Sequence, residues 1–182
     1  MNKNLLILGA GQYDSIAKEV AEAMECFDQI DFLDDNDGNA IGRFCDFERY
    51  SAAYSYAIVA VGNPETRLRW IGKLEEACYT IPVLVHPRAY ISPSAQIMKG
   101  CIIEPLAVVQ ANSTVAAGCL ISSGAVVNHN CFIGDGCHLD SNATVKPRTV
   151  VAANSVIGSG VVVCENTFSN KMPEEYSFEV GV

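Results

Sequence analysis

At 182 residues, with 49% hydrophobic side chains and a formal charge of −9, the chain can bury a sizeable core in one or two domains. Its acidic balance argues against nucleic acid or an anionic membrane as partner, and its longest apolar runs are far too short to span a bilayer. The early run Leu5-Leu6-Ile7-Leu8 leads into a glycine turn instead of a cleavage site, so a cytoplasmic location is expected.

The first elements alternate between strand and helix. Residues 4–8 read as a buried strand, followed by the turn Gly9-Ala10-Gly11 and an apolar helical pattern through Ile16, Ala17, Val20, Ala21 and Met24. A second strand, Ile30 to Leu33, runs into the acidic cluster Asp34-Asp35-Asn36-Asp37. A third, Ala57 to Val61, ends at Gly62-Asn63-Pro64, where a helix begins and runs toward Ala77 with Leu68, Ile71 and Leu74 on one face. Val83-Leu84-Val85 reads as a last short strand. This order predicts a small Rossmann-like α/β unit over residues 1–85, with a ligand crevice at the carboxyl ends of its strands. A glycine turn there either holds a phosphate on backbone N–H groups or simply makes a tight bend. The acidic residues about twenty positions on, Asp34 or Asp35, suit a ribose, although the third glycine of a dinucleotide fingerprint is missing.

After a linker at 86–90, the rhythm changes. From Ile91 to Val163 an aliphatic residue returns at every sixth position: Ile91, Ile97, Ile103, Val109, Val115, Ile121, Val127, Ile133, Leu139, Val145, Val151, Ile157, Val163. Neither a helix nor an ordinary strand has that period, whereas a repeated supersecondary unit does. Four residues after each aliphatic stands a small side chain, and in nine of twelve cases the residue before it is Gly or Asn, the types that most readily adopt positive φ. Each hexapeptide is therefore a short strand and a tight turn. Three of them close a triangular coil of eighteen residues, and residues 91–163 make four coils. Cys101, Cys119, Cys131 and Cys137 fall in the small slot, where Cys acts as a compact hydrophobe; the other four cysteines form no CxxC pair, so reduced thiols are expected. Residues 164–182 form a C-terminal tail.

Taken together, the GAG turn, Phe32-Leu33-Asp34-Asp35, Ala60-Val61-Gly62-Asn63 with Arg67, Val85-His86, Ile91-Ser92-Pro93-Ser94-Ala95 and the His129/His138 segment resemble the hexapeptide-repeat sugar acetyltransferases. These act on nucleotide-linked amino sugars, with the sialic acid O-acetyltransferases as relatives. The resemblance implies that the repeat is a left-handed parallel β-helix, that the protein is a homotrimer, and that acetyl-CoA lies in the groove between neighbouring β-helices. It also implies a nucleotide-linked sugar in the N-terminal domain, held by Gly9, Gly11, Asp34, Asp35, Gly62, Asn63 and Arg67. His129 becomes the general base, and His138 and Gly158 lie beside the coenzyme.

Acetyl transfer from a thioester to an amine or hydroxyl needs a base and no metal, and histidine suits that task at neutral pH. His129, two residues after Val127, sits at a turn with its ring directed outward. His138 interrupts an outward ladder whose other members, Ile102, Leu120 and Val156, are apolar; such a face is expected to be covered, with another subunit as the obvious cover. There it either satisfies a buried hydrogen bond or contacts the acetyl-donor region. His86, beside Pro87, reads as structural. Four departures keep a second reading open, that of a non-catalytic binding or scaffold protein that has lost part of the coenzyme groove. Asn130 stands where the family has an acid, Gln12-Tyr13-Asp14 replaces a Gly-His continuation of the turn, and the β-helix is shorter after Val145. The segment Met172 to Val182 resembles the family's tail without its basic continuation.

Overall fold

The computed structural model describes residues 2–9, 13–36 and 38–164. Strands β1 (Asn4–Gly9), β2 (Gln29–Leu33) and β3 (Tyr56–Ala60) form a parallel sheet in the order β2-β1-β3. Because both faces are covered, β1 is apolar from Leu5 to Leu8 and its side chains part by alternation. Leu5 and Ile7 pack with Ala17, Val20 and Ala21 of helix α1 (Tyr13–Ala23), while Leu6 and Leu8 pack with Ile71 and Leu74 of helix α2 (Pro64–Glu76). Asn63 caps α2 by accepting the Thr66 N–H at 2.9 Å, and Pro64 follows where a missing N–H costs nothing. A 3₁₀ helix, Phe44–Tyr50, that the apolar pattern did not announce, buries Phe44 and Phe47, since residues three apart eclipse in that geometry.

The repeat folds as a triangular prism of two-residue strands in three parallel sheets of five, five and four strands, with a partner eighteen residues away in each ladder, such as Ile121 with Ile103 and Leu139. Its interior holds the six-residue aliphatic series and the small slot, with Ile103 through Val151 and Cys101, Cys119, Cys131 and Cys137 all fully buried. Burial pushes the Cys119 and Cys131 thiols up, and all eight cysteines are free. Positive φ occurs at all nine Gly or Asn turn positions; Leu106 (65°) and Arg148 (62°) in the same register adopt it too, and Ser94, the twelfth position, does not.

Two expectations need correction. Leu84 and Val85 pair with Ile102 and Ile103, so they belong to the β-helix and not to the N-terminal sheet. Residues 86–90 do not link domains: the first four turn the first corner of the β-helix, and Tyr90 already pairs with Val108. The reason is that Val85 and Ala89 continue the aliphatic and small-residue register one step earlier. The outward ladder through Ile102 and Leu120 is not left for another subunit: both residues are fully buried in one cluster with Ala17, Val20 and Ala21 of α1. That face of the prism is occupied by the chain's own N-terminal domain. The segment 165–182 lies outside the described residues.

Candidate active site

Parallel pairing places the carboxyl ends of β1, β2 and β3 at one edge of the sheet, and Gly9, Asp34, Asp35, Gly62 and Asn63 stand at or just beyond that edge. Gly11 lies outside the described residues. A Cβ on Gly9 would come within 2.4 Å of the Asp14 Cβ, so glycine is required there by the close approach of Asp14. Asp14 is itself buried at the first turn of α1, where its Oδ1 accepts the Ser15 N–H at 2.6 Å. The Asp34 carboxylate is buried and accepts the Asn36 N–H at 2.7 Å. Asp35 accepts the Phe44 N–H at 3.1 Å and lines a cleft of about 420 Å³ with Arg43, Phe44, Cys45 and Trp70, whose indole packs edge to face on Phe44 at 5.2 Å.

Arg67 is elsewhere. It is fully buried, and its guanidinium donates to four backbone carbonyls, those of Val61, Gly62, Gly118 and Gly136. The expectation that it contacts the sugar nucleotide is therefore not met, because its donors point into the domain junction. The family resemblance implied a ligand contact for this residue of α2; carbonyls more than fifty residues further along the chain claim the side chain instead.

His138 stands on the prism face that α1 covers. Its Nε2 lies 3.2 Å from the Ser122 Oγ, and its ring meets Tyr13 edge to face at 5.6 Å. The Tyr13 hydroxyl donates to Glu104 at 2.5 Å, and the other Glu104 oxygen accepts the Ser123 N–H and Oγ–H at 3.0 and 2.9 Å. Burial, with the Glu104 carboxylate beside it, raises the Tyr13 pKa. Burial lowers that of His138, so its imidazole is neutral at pH 7. Glu104, Ser122, Asp140 and Gly158 repeat at eighteen-residue spacing, and this column beside the covered face is an unused signal from which the cluster could have been found. Gly158 is exposed near the end of that column, on the side of His138.

His129 is set apart from both. It occupies the corner between the Val126–Val127 and Phe132–Ile133 strands, which is the one corner of the triangle that does not border the face carrying α1. Its ring is partly exposed, its Nδ1 lies 2.8 Å from the amide of Asn130, and its carbonyl accepts the Arg148 N–H at 3.1 Å. Asn130 has φ of 57°, so the turn's backbone and the orientation of the ring are served by the same residue. Among the described residues no three His, Cys, Asp or Glu side chains converge as a metal site, and no helix is long and apolar enough to cross a membrane.

Residues 4–74 match the PglD N-terminal domain, and residues 130–165 match the bacterial transferase hexapeptide family of six repeats. No curated protein sequence matches the chain. Among solved structures, the acetyltransferase domain of PglB from Neisseria gonorrhoeae FA1090, in complex with acetyl coenzyme A, is 30% identical, with 91% of this chain and 93% of that one covered and a TM-score of 0.76. A second structure of that domain has a TM-score of 0.83 at 28% identity, over 92% and 94% of the two chains. Perosamine N-acetyltransferase from Caulobacter crescentus, a histidine mutant in complex with CoA and GDP-perosamine, shares the fold at 20% identity, with 90% and 89% covered and a TM-score of 0.79. With an α/β domain of the PglD type leading directly into a left-handed β-helix of hexapeptide repeats, the chain belongs to the hexapeptide-repeat acetyltransferases of the PglB acetyltransferase-domain type.

Proposed function

We propose that the protein moves the acetyl group of acetyl-CoA to an amino or hydroxyl group of a nucleotide-linked sugar, with His129 as general base. The observation that carries this reading is the His129–Asn130 pair on an open corner of the prism. A half-turn of the Asn130 amide presents its oxygen to the ring, where it accepts the Nδ1–H and leaves the Nε2 lone pair for the substrate. The incoming amine or hydroxyl attacks the thioester carbonyl, His129 takes its proton, and the coenzyme leaves as its thiol. Asn130 does by a neutral hydrogen bond the orienting that a carboxylate would do with charge.

The acceptor is held in the crevice of Gly9, Gly11, Asp34, Asp35, Gly62 and Asn63, and His138 and Gly158 border the coenzyme. Because the crevice belongs to the domain on one face of the prism and His129 to the opposite corner, a complete site takes these parts from two chains. The ladder of Tyr90, Val108, Val126, Thr144 and Val162, in which Tyr90 and Val162 are 57% and 54% exposed, supplies a surface for that contact, and a closed homotrimer satisfies it in each copy. Eight free cysteines suit a reducing compartment, which supports the cytoplasm as the location.

The scaffold reading has one observation in its favour, the Asp14 carboxylate buried where α1 would offer its N–H groups to a phosphate. Calorimetric titration separates the two. The enzyme reading requires saturable binding of acetyl-CoA, together with binding of UDP or GDP as the nucleotide part of the acceptor; heat from neither titration would leave the scaffold.

A further inference from the structure

The Arg67 guanidinium has partners in both domains and no exposure to either ligand. Nη1 donates to the carbonyls of Val61 (2.5 Å) and Gly62 (3.0 Å), at the loop that follows β3; Nε donates to Gly118 (2.6 Å) and Nη2 to Gly136 (2.7 Å), on successive coils of the β-helix. Four carbonyl dipoles thus stand where a buried cation would ordinarily require a carboxylate. Only the planar fork of arginine reaches four acceptors from one rigid group.

The rest of α2 fits the same corner. A Cβ on Gly100 would come within 2.8 Å of Ile71, and one on Gly118 or Gly136 within 2.9 Å of Leu68. The fourth residue of that column, Asn154, is exposed. All four have positive φ, at 72°, 66°, 67° and 61°, so the backbone alone would accept asparagine throughout. Within this column glycine stands where the helix lies and asparagine where it does not, and a Cβ on Gly136 would also meet the Asn154 Oδ1 at 2.7 Å. One helical turn rises about 5.4 Å and one coil about 4.8 Å, so successive turns of α2 meet successive coils, and the Lys99–Glu75 ion pair ties the far end of the helix.

We infer that Arg67 is a positioning residue for the acceptor, holding the Gly62-Asn63 loop in fixed register against the β-helix. The inference rests on the reading of that loop as part of the sugar-nucleotide crevice. Without the fork, the loop is anchored to the sheet on one side only, and the acceptor loses its defined place relative to the prism. Arg67 touches no substrate and acts through the two carbonyls of the loop.

The test is amide hydrogen exchange with Arg67→Lys, which keeps the charge but not the fork, beside Leu68→Ala, which weakens α2 docking but keeps Arg67. Exchange across residues 61–66 should quicken by about ten-fold in Arg67→Lys, with the β1 amides unchanged, and stay near wild type in Leu68→Ala. In titrations, Arg67→Lys should bind UDP or GDP, whichever the wild type binds, about ten-fold more weakly, and acetyl-CoA within about two-fold of wild type. Unchanged exchange over 61–66, or equal losses for both ligands, overturns the inference. If the wild type binds neither nucleotide, the crevice reading fails, and the exchange result still decides whether Arg67 holds the loop. Should Arg67→Lys not fold, the wild type decides: its Arg67 Nε–H should exchange slowly in a nitrogen-15 spectrum, and fast exchange there contradicts the tie.

Discussion

His138 shows how much a side chain's role depends on what the fold lays over it. The interrupted apolar ladder was visible in the sequence, but the identity of its cover was not, because Tyr13 lies more than a hundred residues earlier and its alignment with Glu104 and Ser122 exists only after folding. Burial lowers the His138 pKa from the ordinary 6.5. The unfolded chain therefore takes up a proton at a pH where the folded chain refuses it, and stability falls as pH drops below about 6.5, by at most about 1.4 kcal/mol per pH unit for this one group. His138→Gln keeps a donor for Ser122 and cannot titrate, so its urea midpoint should fall less than that of the wild type between about pH 6.5 and 5. Parallel decline of the two proteins would remove His138 from the acid response. Arg67 teaches the complementary lesson: the family resemblance implied a ligand contact, and only tertiary structure could show that its donors were already taken.

At the scale of elements, the hexapeptide register was sufficient for the architecture of the prism, because an aliphatic at every sixth place and a small residue four later leave one way to close a coil. The same register, followed back to Val85 and Ala89, would have placed the domain boundary correctly. The three strands and two helices of the first domain were legible from period and caps, whereas the 3₁₀ helix was not, since its Phe44 and Phe47 carry too short a pattern. The glycine column offers a direct test of how the domains meet. Gly118 and Gly160 share nearly the same φ, 66° and 68°, but a Cβ at Gly118 meets Leu68 at 2.9 Å and one at Gly160 meets nothing within 4 Å. Gly118→Asn should cost about 1–3 kcal/mol by overpacking, and Gly160→Asn less than about 0.5 kcal/mol. Equal losses in thermal or urea unfolding would mean that backbone conformation, and not α2, dictates glycine at that corner.

For the whole molecule, the proposed function requires one chain to supply the acceptor crevice and its neighbour to supply His129. Sequence resemblance suggested a trimer; the proposed sharing of a site between chains rests on the topology, which sets the N-terminal domain on one face of the triangle and His129 at the corner away from it. Two variants separate the halves of such a site. His129→Ala removes the base, and its kcat should fall by about two to four orders of magnitude. Gly62→Trp fills the crevice at a position where a side chain meets no protein atom within 4 Å at its Cβ, so the fold is spared and acceptor binding is blocked. Co-expressed in equal amounts, the two chains should regain about a quarter of the wild-type rate of CoA thiol release with a UDP- or GDP-linked amino sugar, because in a closed ring half the interfaces receive an intact base and half of those an intact crevice. A mixture as inactive as its parents, from variants whose wild-type parent turns over that substrate, would contradict a site shared between chains.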